Sequence, residues 1–296
     1  MLRDEFGRIL LQRRTDFDFW GLPGGVLELN EDIETCARRE LREETGLTAS
    51  ALRLVGVYTH PRYDVVYPNG DQVQQYTICF DGRVGGGQMR PDGVEVSHQA
   101  FFEPEAIQSL TVPVWYRHMV RDALKGGPSV FSPPYARKIT RDQIANVRPY
   151  IGHDRLIGVG AAVVVVREDG SVLMVRRRDS QYWDIPAGYS ELGENVAHTA
   201  IRETTEETGL DIRLERIIGV YSSFKFNETT SNGDQVKNVG TLFRATPLAG
   251  QDAADGKEIA EIAWMEEGEI LGHASEEYRL FLEMALRHLR DGFFVC

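Results

Sequence analysis

The sequence predicts two consecutive layered domains of the α/β (α+β) class, each with a mixed sheet, and three observations lead to this fold class. First, a constant offset of 163 residues aligns the two halves without a gap, from Gly7 with Gly170 to Asp92 with Asp255. Second, short apolar runs of strand length alternate with segments of helical periodicity in both halves. Third, a chain of 296 residues has room for two domains with cores of their own. A repeat of this length indicates duplication of a whole domain and not a solenoid.

The predicted elements follow the same order in each half: a strand, a loop with Trp and Pro, a Glu-rich helix, strands separated by an Asn-Gly turn, and a final helix. The strands are predicted near Ile9–Arg13, Leu52–Thr59 and Gln99–Phe102, and near Gly158–Val166, Val172–Arg176, Arg213–Ser222 and Ile262–Met265. The helices are predicted at Asp32–Thr45, Trp115–Leu124, Ile139–Val147 and Glu276–Leu289. Asn30 and Gly46 are the candidate caps of the first helix.

The domain boundaries are predicted from composition. Residues 1–125 form the first domain, the Gly- and Pro-rich residues 126–138 a linker, and residues 139–296 the second domain. Under the offset, Met1 aligns with Val164, so the first domain keeps only residues 1–3 of an opening strand that the second has in full. Two explanations stay open: a sheet that has lost most of one strand, or a natural start upstream of Met1.

One pattern of glycine, glutamate and arginine occurs once in each half. It runs from Gly25 to Leu47 and again from Gly188 to Leu210, with nine fixed positions in 23 residues and one lapse at Thr204. The charged members are Glu31, Arg39, Glu40, Glu43 and Glu44 in the first copy and Glu194, Arg202, Glu203, Glu206 and Glu207 in the second. A pattern of this length, met twice at one spacing, is far more specific than any of its residues alone.

The spacing of the glutamates predicts a metal site. On a helix, Glu40, Glu43 and Glu44 fall within an arc of about 100° that also carries apolar positions. Carboxylates crowded on an inward side repel one another and lose hydration unless a cation neutralises them. Magnesium is usually held by a few carboxylates together with substrate phosphates. The alternative is a solvated acidic face, which is the usual case for Glu-rich helices. Arg39, four residues before Glu43, is predicted to orient it as an ion pair.

These residues resemble the Nudix box, and the chain resembles a tandem Nudix hydrolase. The resemblance implies an α/β/α sandwich in each half, with Mg²⁺ or Mn²⁺ as cofactor. It implies hydrolysis of the diphosphate linkage of a nucleoside diphosphate derivative. The implied metal ligands are Glu40, Glu43, Glu44 and the backbone of Gly24, and in the second copy Glu203, Glu206, Glu207 and the backbone of Ala187. The implied catalytic residues are Glu31, Arg39, Glu40, Glu194, Arg202 and Glu203, with a loop acid as base or further ligand from among Glu95, Glu258 and Glu261. The first copy has His98 where the second has Glu261.

Substrate contacts are predicted beside the box loop. Arg14 and Arg177 end a strand just before this loop and are candidates for binding phosphates, with solvated strand-end charges as an equal alternative. Trp20 and Trp183 are candidates for stacking on a base, although packing beside the loop is the favoured alternative. The sequence does not specify the nucleotide.

Composition and net charge limit the kinds of partner that are expected. The net charge of −12 argues against a general nucleic-acid binder. No apolar run is long enough to span a membrane, so neither nucleic acid nor membrane is expected as a partner. Three cysteines without metal-type spacing predict reduced thiols in a cytoplasmic protein. The expected partner is a small-molecule nucleotide, and an internal pseudo-dimer or a homodimer is the expected arrangement.

Two function classes stay open, a metal-dependent diphosphate hydrolase and a non-catalytic nucleotide-binding or regulatory module. Box glutamates retained in both copies favour the enzyme. The copies are predicted to be unequal. Because the second keeps its whole opening strand, it is expected to be the more dependable catalyst, although the first has the cleaner box.

Overall fold

The computed structural model describes residues 1–15, 17–67, 69–91, 93–223, 227–229, 232–250, 253–254, 256–274, 276–289 and 294–295. The strands of the first repeat are β1 (Leu2–Arg3), β2 (Ile9–Arg14), β3 (Trp20–Gly21), β4 (Leu47–Tyr58), β5 (Val65–Val66), β6 (Gln72–Val73), β7 (Thr77–Gly87), β8 (Val96–Phe102) and β9 (Val130–Phe131). Those that follow are β10 (Ala136–Asp142), β11 (Leu156–Val165), β12 (Val172–Arg177), β13 (Trp183–Asp184), β14 (Ala187–Tyr189), β15 (Glu191–Glu194), β16 (Leu210–Tyr221), β17 (Asn227–Thr229), β18 (Gln235–Gly250), β19 (Ile259–Met265) and β20 (Phe294–Val295). The α-helices are α1 (Ile33–Thr45), α2 (Val114–Lys125), α3 (Gln143–Ile151), α4 (Val196–Thr208), α5 (Glu267–His273) and α6 (Glu276–Arg287).

The chain divides into two compact units. Unit 1 comprises residues 1–58 and 76–130, and unit 2 comprises residues 59–75 and 131–296. Residues 59–75 therefore pack in unit 2, although the repeat places them in the first half of the sequence. The predicted boundaries at residues 125 and 139 remain predictions, because compact packing does not show which segment folds on its own.

Unit 1 is built on one mixed sheet with the order β3-β2-β1-β7-β4-β9, and β8 pairs with β2. The opening strand β1 has two residues, Leu2 and Arg3, and it runs parallel to β7 and antiparallel to β2. Leu41 of α1 is buried in a cluster with Leu2, Leu10 and Leu47. Burying one leucine contributes about 1.5–3 kcal/mol, so this contact fixes the box helix on the sheet.

Unit 2 repeats this plan with a longer opening strand. Its main sheet has the order β14-β11-β18-β16-β20, with β17 on β18, and β13-β12-β19 and β10-β15 form smaller sheets. Ten residue pairs join β11 to β18 in parallel register. The core combines β11, β12 and the C-terminal helix, for example Val164, Met174 and Leu282. Mixed sheets with helices in both units confirm the predicted fold class, including the shortened opening strand of the first domain.

Two local predictions differ from the structure, and one short helix was not predicted. Asp32, and not Asn30, caps α1, because its carboxylate accepts a hydrogen bond from the Thr35 backbone N–H at 2.8 Å. The helix predicted at residues 139–147 begins only at Gln143, because Asp142 caps it and the residues before it pair as β10 with β15. The short helix α5 was not predicted; a reciprocal capping box of Glu266 and Glu269 starts it.

Among the described residues, no helix is both long and apolar enough to cross a membrane. Cys36 and Cys79 are buried free thiols, and Cys296 lies outside the described residues.

Candidate active sites

An arginine organises the first box. Arg39 binds the carboxylate of Glu31 through two N–H groups, Nε to Oε2 at 2.9 Å and Nη2 to Oε1 at 2.5 Å. Its Nη1 also donates to Glu40 at 2.8 Å and to Glu43 at 3.0 Å. The predicted ion pair with Glu43 is confirmed. The sequence spacing did not reveal the other two contacts, which make the flat guanidinium a template for three carboxylates.

The second box has the same network around Arg202. The guanidinium binds Glu194 through Nη2 at 2.7 Å and Nε at 3.1 Å, and its Nη1 donates to Glu203 at 2.7 Å and Glu206 at 3.1 Å. A further N–H donates to the Tyr189 carbonyl at 2.9 Å. The two copies therefore agree in chemistry and nearly in distance.

The three box glutamates of each helix differ in burial. In the first copy, Glu44 is 4% exposed, the Glu40 side chain 16% and the Glu43 side chain 60%. The second copy follows the same gradient, with 4% for Glu207, 17% for Glu203 and 61% for Glu206. The expectation that all three face inward is wrong for the third acid, because Glu43 and Glu206 point to solvent at the rim.

The most buried of the three glutamates on each box helix is held by the loop that precedes the helix. The Gly24 N–H donates to Glu44 at 2.8 Å, and the Ala187 N–H donates to Glu207 at 3.2 Å. The Ala187 carbonyl, an implied metal ligand, accepts a hydrogen bond from Arg177 Nη2 at 3.2 Å. The loop thus presents amides, as well as carbonyls, to the helix.

The box glycine is required by a close approach. A Cβ on Gly25 would overlap the carboxylate of Glu40, and a Cβ on Gly188 would overlap that of Glu203. These glycines let the carboxylates lie directly against the loop backbone. The first fixed position of the pattern therefore has a steric cause.

Burial, together with hydrogen bonds, gives the carboxyl groups of each box different pKa values. It raises the pKa of Glu44 to about 7, against the hydrogen bond from Gly24, and the pKa of Glu207 to about 8, against the charge of Arg177. The hydrogen bond from Arg39 lowers the pKa of Glu31 to about 2. Burial by itself would raise the pKa of Glu194, but hydrogen bonds, led by the one from Arg202, hold it below its usual value.

Arg177 lies beside the buried glutamate of the second box. Its Nη1 is 3.0 Å from Glu207 Oε1, an ion-pair distance without hydrogen-bond alignment, and 3.9 Å from Glu258. In the first copy the charge of Arg14 lowers the pKa of Glu44, although burial outweighs it. Arg177 therefore contacts Glu207, and Arg14 lies near enough to Glu44 for its charge to affect the pKa.

The neighbouring side chains serve other contacts. Glu261 binds Arg176 at 2.6 Å, the residue paired with it across the sheet. Trp183 packs against the unit 2 core, with the Arg176 guanidinium 5.9 Å from its ring centre. Trp20 meets Phe102 edge to face at 5.0 Å. Both tryptophans have packing partners beside the box, in line with the favoured alternative.

The donor atoms suit a hard divalent cation, but they are not gathered around one point. Among the described residues, no three His, Cys, Asp or Glu side chains are arranged to hold a metal ion together. Glu40 and Glu43 are turned to Arg39, and Glu44 is turned to the Gly24 N–H. The buried carboxyl, whose pKa is raised, is the group that a cation would stabilise most.

Asp184 is an acid near the second box that the sequence analysis did not single out. Burial raises its pKa to about 6, and its charge contributes to the raised pKa of Glu207. Under the offset, Gly21 occupies its place in the first copy. An acid between a Trp and the Ile-Pro-Ala-Gly loop was the signal that could have identified it.

Comparison with known proteins decides the family, since the NUDIX domain profile matches the chain twice, over residues 1–123 and 156–284. The chain belongs to the Nudix family. Its Nudix relatives include the Bacillus subtilis (strain 168) protein named "Putative 8-oxo-dGTP diphosphatase", 36% identical over 111 residues that cover 38% of this chain and 68% of that protein. A "MutT-like protein" of Streptomyces ambofaciens is 34% identical over 131 residues, 44% of this chain and 78% of that protein.

A third relative, the "ADP-ribose pyrophosphatase" of Methanocaldococcus jannaschii, is 29% identical over 99 residues, 32% of this chain and 56% of that protein. The predicted tandem Nudix hydrolase, and with it the class of Nudix pyrophosphohydrolases, is confirmed.

Proposed function

We propose that this Nudix protein hydrolyses the diphosphate linkage of a nucleoside diphosphate derivative in a reaction that depends on Mg²⁺ or Mn²⁺. The observation that carries the proposal is the duplicated arginine network, which holds the same set of carboxylates beside a glycine loop in both repeats. The names of the relatives refer to nucleotides with phosphoanhydride bonds but differ in the remainder of the molecule. The proposal therefore stops at the substrate class.

Each box supplies oxygen donors for the metal. Glu40, Glu43, Glu44 and the Gly24 carbonyl would hold it in the first repeat, and Glu203, Glu206, Glu207 and the Ala187 carbonyl in the second. A bound divalent cation neutralises a diphosphate and lowers the pKa of a bound water. Arg39 and Arg202 hold two of these glutamates on one nitrogen each, which limits their spacing before any cation binds.

Arg177 and Arg14 are the proposed phosphate ligands. Arg177 lies between a buried and an exposed carboxylate, 3.0 Å from Glu207 and 3.9 Å from Glu258. A metal at Glu207 would balance the charge of the ionised carboxylate, and the Arg177 guanidinium could then pair with a phosphate. We assign Trp20 and Trp183 to packing of the loop, because both already have ring or core partners.

Glu258 is the better placed loop acid of the second repeat. Its side chain is 76% exposed and faces Arg177, whereas Glu261 is bound by Arg176 at 2.6 Å. Under the offset, Glu95 is the counterpart of Glu258, and it is exposed as well. We propose that these two carboxylates accept the proton of the attacking water.

A panel of nucleoside diphosphate derivatives, assayed for phosphate-containing products with and without Mg²⁺ or Mn²⁺, tests the proposal. We expect metal-dependent hydrolysis of at least one member. The double variant Glu43→Gln/Glu206→Gln should lower the rate by about 100-fold or more, because each change removes a charge from the donor set. Glu34→Gln is the matched control, since Glu34 lies on the same helix but pairs with Arg38. Nucleotide binding without turnover under all conditions would favour the non-catalytic alternative.

A further inference from the structure

The segment of residues 59–75 is assigned to a different unit from the residues on either side of it. It belongs to unit 2, together with residues 131–296. Its own contacts fix it there: Tyr63 is 2% exposed, Asp64 binds Arg137 at 2.6 Å, and the ring centres of His60 and Tyr135 are 4.7 Å apart. Under the offset its counterpart is residues 222–238, of which β17 pairs with β18 inside its own sheet.

The amide of Gln74 binds two backbone groups of the second box. Its Nε2 donates to the Glu194 carbonyl at 2.9 Å, and its Oε1 accepts from the Gly193 N–H at 2.6 Å. Nearby, Thr59 Oγ1 accepts from the Val196 N–H at 3.3 Å, in the first turn of α4. The segment thus provides partners for three backbone groups between Gly193 and Val196, on either side of the box glutamate.

The geometry of the box explains why it needs such a partner. In its pairing with β10, Glu194 lies opposite Ala136 and Leu192 opposite Arg141, so that Gly193, with φ of 107°, faces the extra residues of β10 and has no partner in this ladder. A buried N–H without an acceptor is costly. Gln74 supplies that acceptor at the residue directly before Glu194.

The position of Glu194 affects where the proposed metal ligands lie. Its carboxylate is fully buried and binds Arg202, which holds Glu203 and Glu206. A shift of the Gly193–Glu194 peptide would therefore move the guanidinium and two proposed metal ligands together. In the first box, by contrast, residues 22–32 form no strand, and Val26 is 79% exposed.

We propose that Gln74 is a positioning residue of the second Nudix site, so that a segment from the first repeat sets the catalytic geometry of the second. This proposal rests on the proposed function for its kinetic consequence but not for its structural one. Gln74 touches neither metal ligand nor substrate directly. It acts through the backbone of Gly193 and Glu194, and so through Arg202.

The test uses the full-length chain in a Glu43→Gln/Glu44→Gln background, which leaves the second site to be measured. Gln74→Met keeps the size of the side chain but removes both hydrogen bonds, and Gln74→Glu keeps the acceptor for the Gly193 N–H. We expect Gln74→Met to lower kcat about tenfold with KM changed less than twofold, because misplaced catalytic groups affect kcat first. Gln74→Glu should recover part of the loss. Gln72→Ala, an exposed glutamine two residues earlier in the same segment, is the matched control and should leave kcat unchanged.

Two further measurements distinguish failure of the positioning role from failure of the proposed function. Hydrogen exchange of the metal-free protein over residues 190–196 should become about tenfold faster in Gln74→Met, whether or not a substrate is known. The first site, measured in a Glu206→Gln/Glu207→Gln background, should keep its kcat when Gln74→Met is added. An unchanged kcat at the second site, unchanged exchange, or an equal loss at both sites would overturn the positioning role. A parent chain that hydrolyses nothing would instead overturn the proposed function, while the exchange result would still decide the role of Gln74.

Discussion

The two boxes have nearly identical helices but differently supported loops. The exposed fractions of the corresponding glutamates agree within one percentage point, 16% and 17% for Glu40 and Glu203, 60% and 61% for Glu43 and Glu206. The glutamate of the loop differs more. The Glu31 side chain is 9% exposed, whereas that of Glu194 is fully buried and also binds His198 at 2.8 Å.

This difference teaches that the box pattern specifies its helix but not its surroundings. Arginine and glutamates at fixed spacing build the same ion-pair network twice, because they need only one helix and one loop. The loop of the second box is further held by β10 and by Gln74, which lie far away in the sequence. The charged residues of the box are thus the same in the two copies, and the contacts that support the loop differ.

The largest expected effect is on activity. Glu206→Gln should remove most of the hydrolysis by the full chain, and Glu43→Gln only a minority. The reason is that more contacts position the groups of the second site, and misplacement of a catalytic group can lower the rate about 10²-fold. Steady-state rates of the two single variants on the same substrate check this. Equal losses, or a greater loss with Glu43→Gln, would show that support of the loop does not set the rate.

A second comparison concerns stability. Arg202→Met should lower the free energy of unfolding by about 3 kcal/mol or more, since it leaves the buried charge of Glu194 without its guanidinium. Arg39→Met should cost less, about 1–2 kcal/mol, because Glu31 retains some access to water. Urea titrations at pH 7 measure both. Adding Glu194→Gln to Arg202→Met should restore part of the loss, and no recovery would point to packing in place of charge.

A third comparison concerns the pH dependence of stability. In the unfolded chain both Glu44 and Glu207 ionise near pH 4.5, but in the fold their pKa values are about 7 and about 8. Ionisation of a carboxyl with a raised pKa opposes folding, so stability is full below pH 4.5 and declines as the pH rises through the folded value. Because one pKa unit corresponds to about 1.4 kcal/mol, Glu207→Gln should stabilise the protein in EDTA at pH 9 by up to about 5 kcal/mol and Glu44→Gln by up to about 3 kcal/mol.

At pH 4 neither glutamine variant should differ much from the parent, because the carboxyl groups are protonated in both states. The same protons must leave before a cation binds. Metal affinity should therefore rise with pH through about 7 in the first site and about 8 in the second, which titration calorimetry at three pH values can follow. A flat profile would mean that neither buried glutamate is a ligand.

The features that the sequence predicted depend on local spacing. The span of α1, its end at Gly46 with φ of 71°, and the ion pair from Arg39 to Glu43 all lie within one 13-residue helix and its cap. The contact of Arg39 with Glu31 could not be predicted from the sequence, because the distance between these residues depends on how the loop folds back on the helix. The cap was misplaced at Asn30, since Asp32 two residues later offers an equivalent oxygen.

Other features depend on distant segments. The helix predicted at residues 139–147 failed because strand pairing with β15 overrides local propensity up to Asp142. Nothing in residues 59–75 reveals that Gln74 binds Gly193, 119 positions away. The solvent-facing position of Glu43 was missed because an arc of about 100° on a helix includes its rim as well as its buried centre.

Cys36 gives the first box a chemical property that the second lacks. Under the offset it stands where Thr199 donates a hydrogen bond to Glu194 at 2.9 Å. The thiol is 7% exposed, and burial raises its pKa to about 12. Alkylating reagents attack the thiolate, so Cys36 should react slowly at neutral pH while it stays buried. Its labelling rate should consequently measure how often this part of the first box becomes exposed to solvent, without any ligand and in the presence of an intact second site.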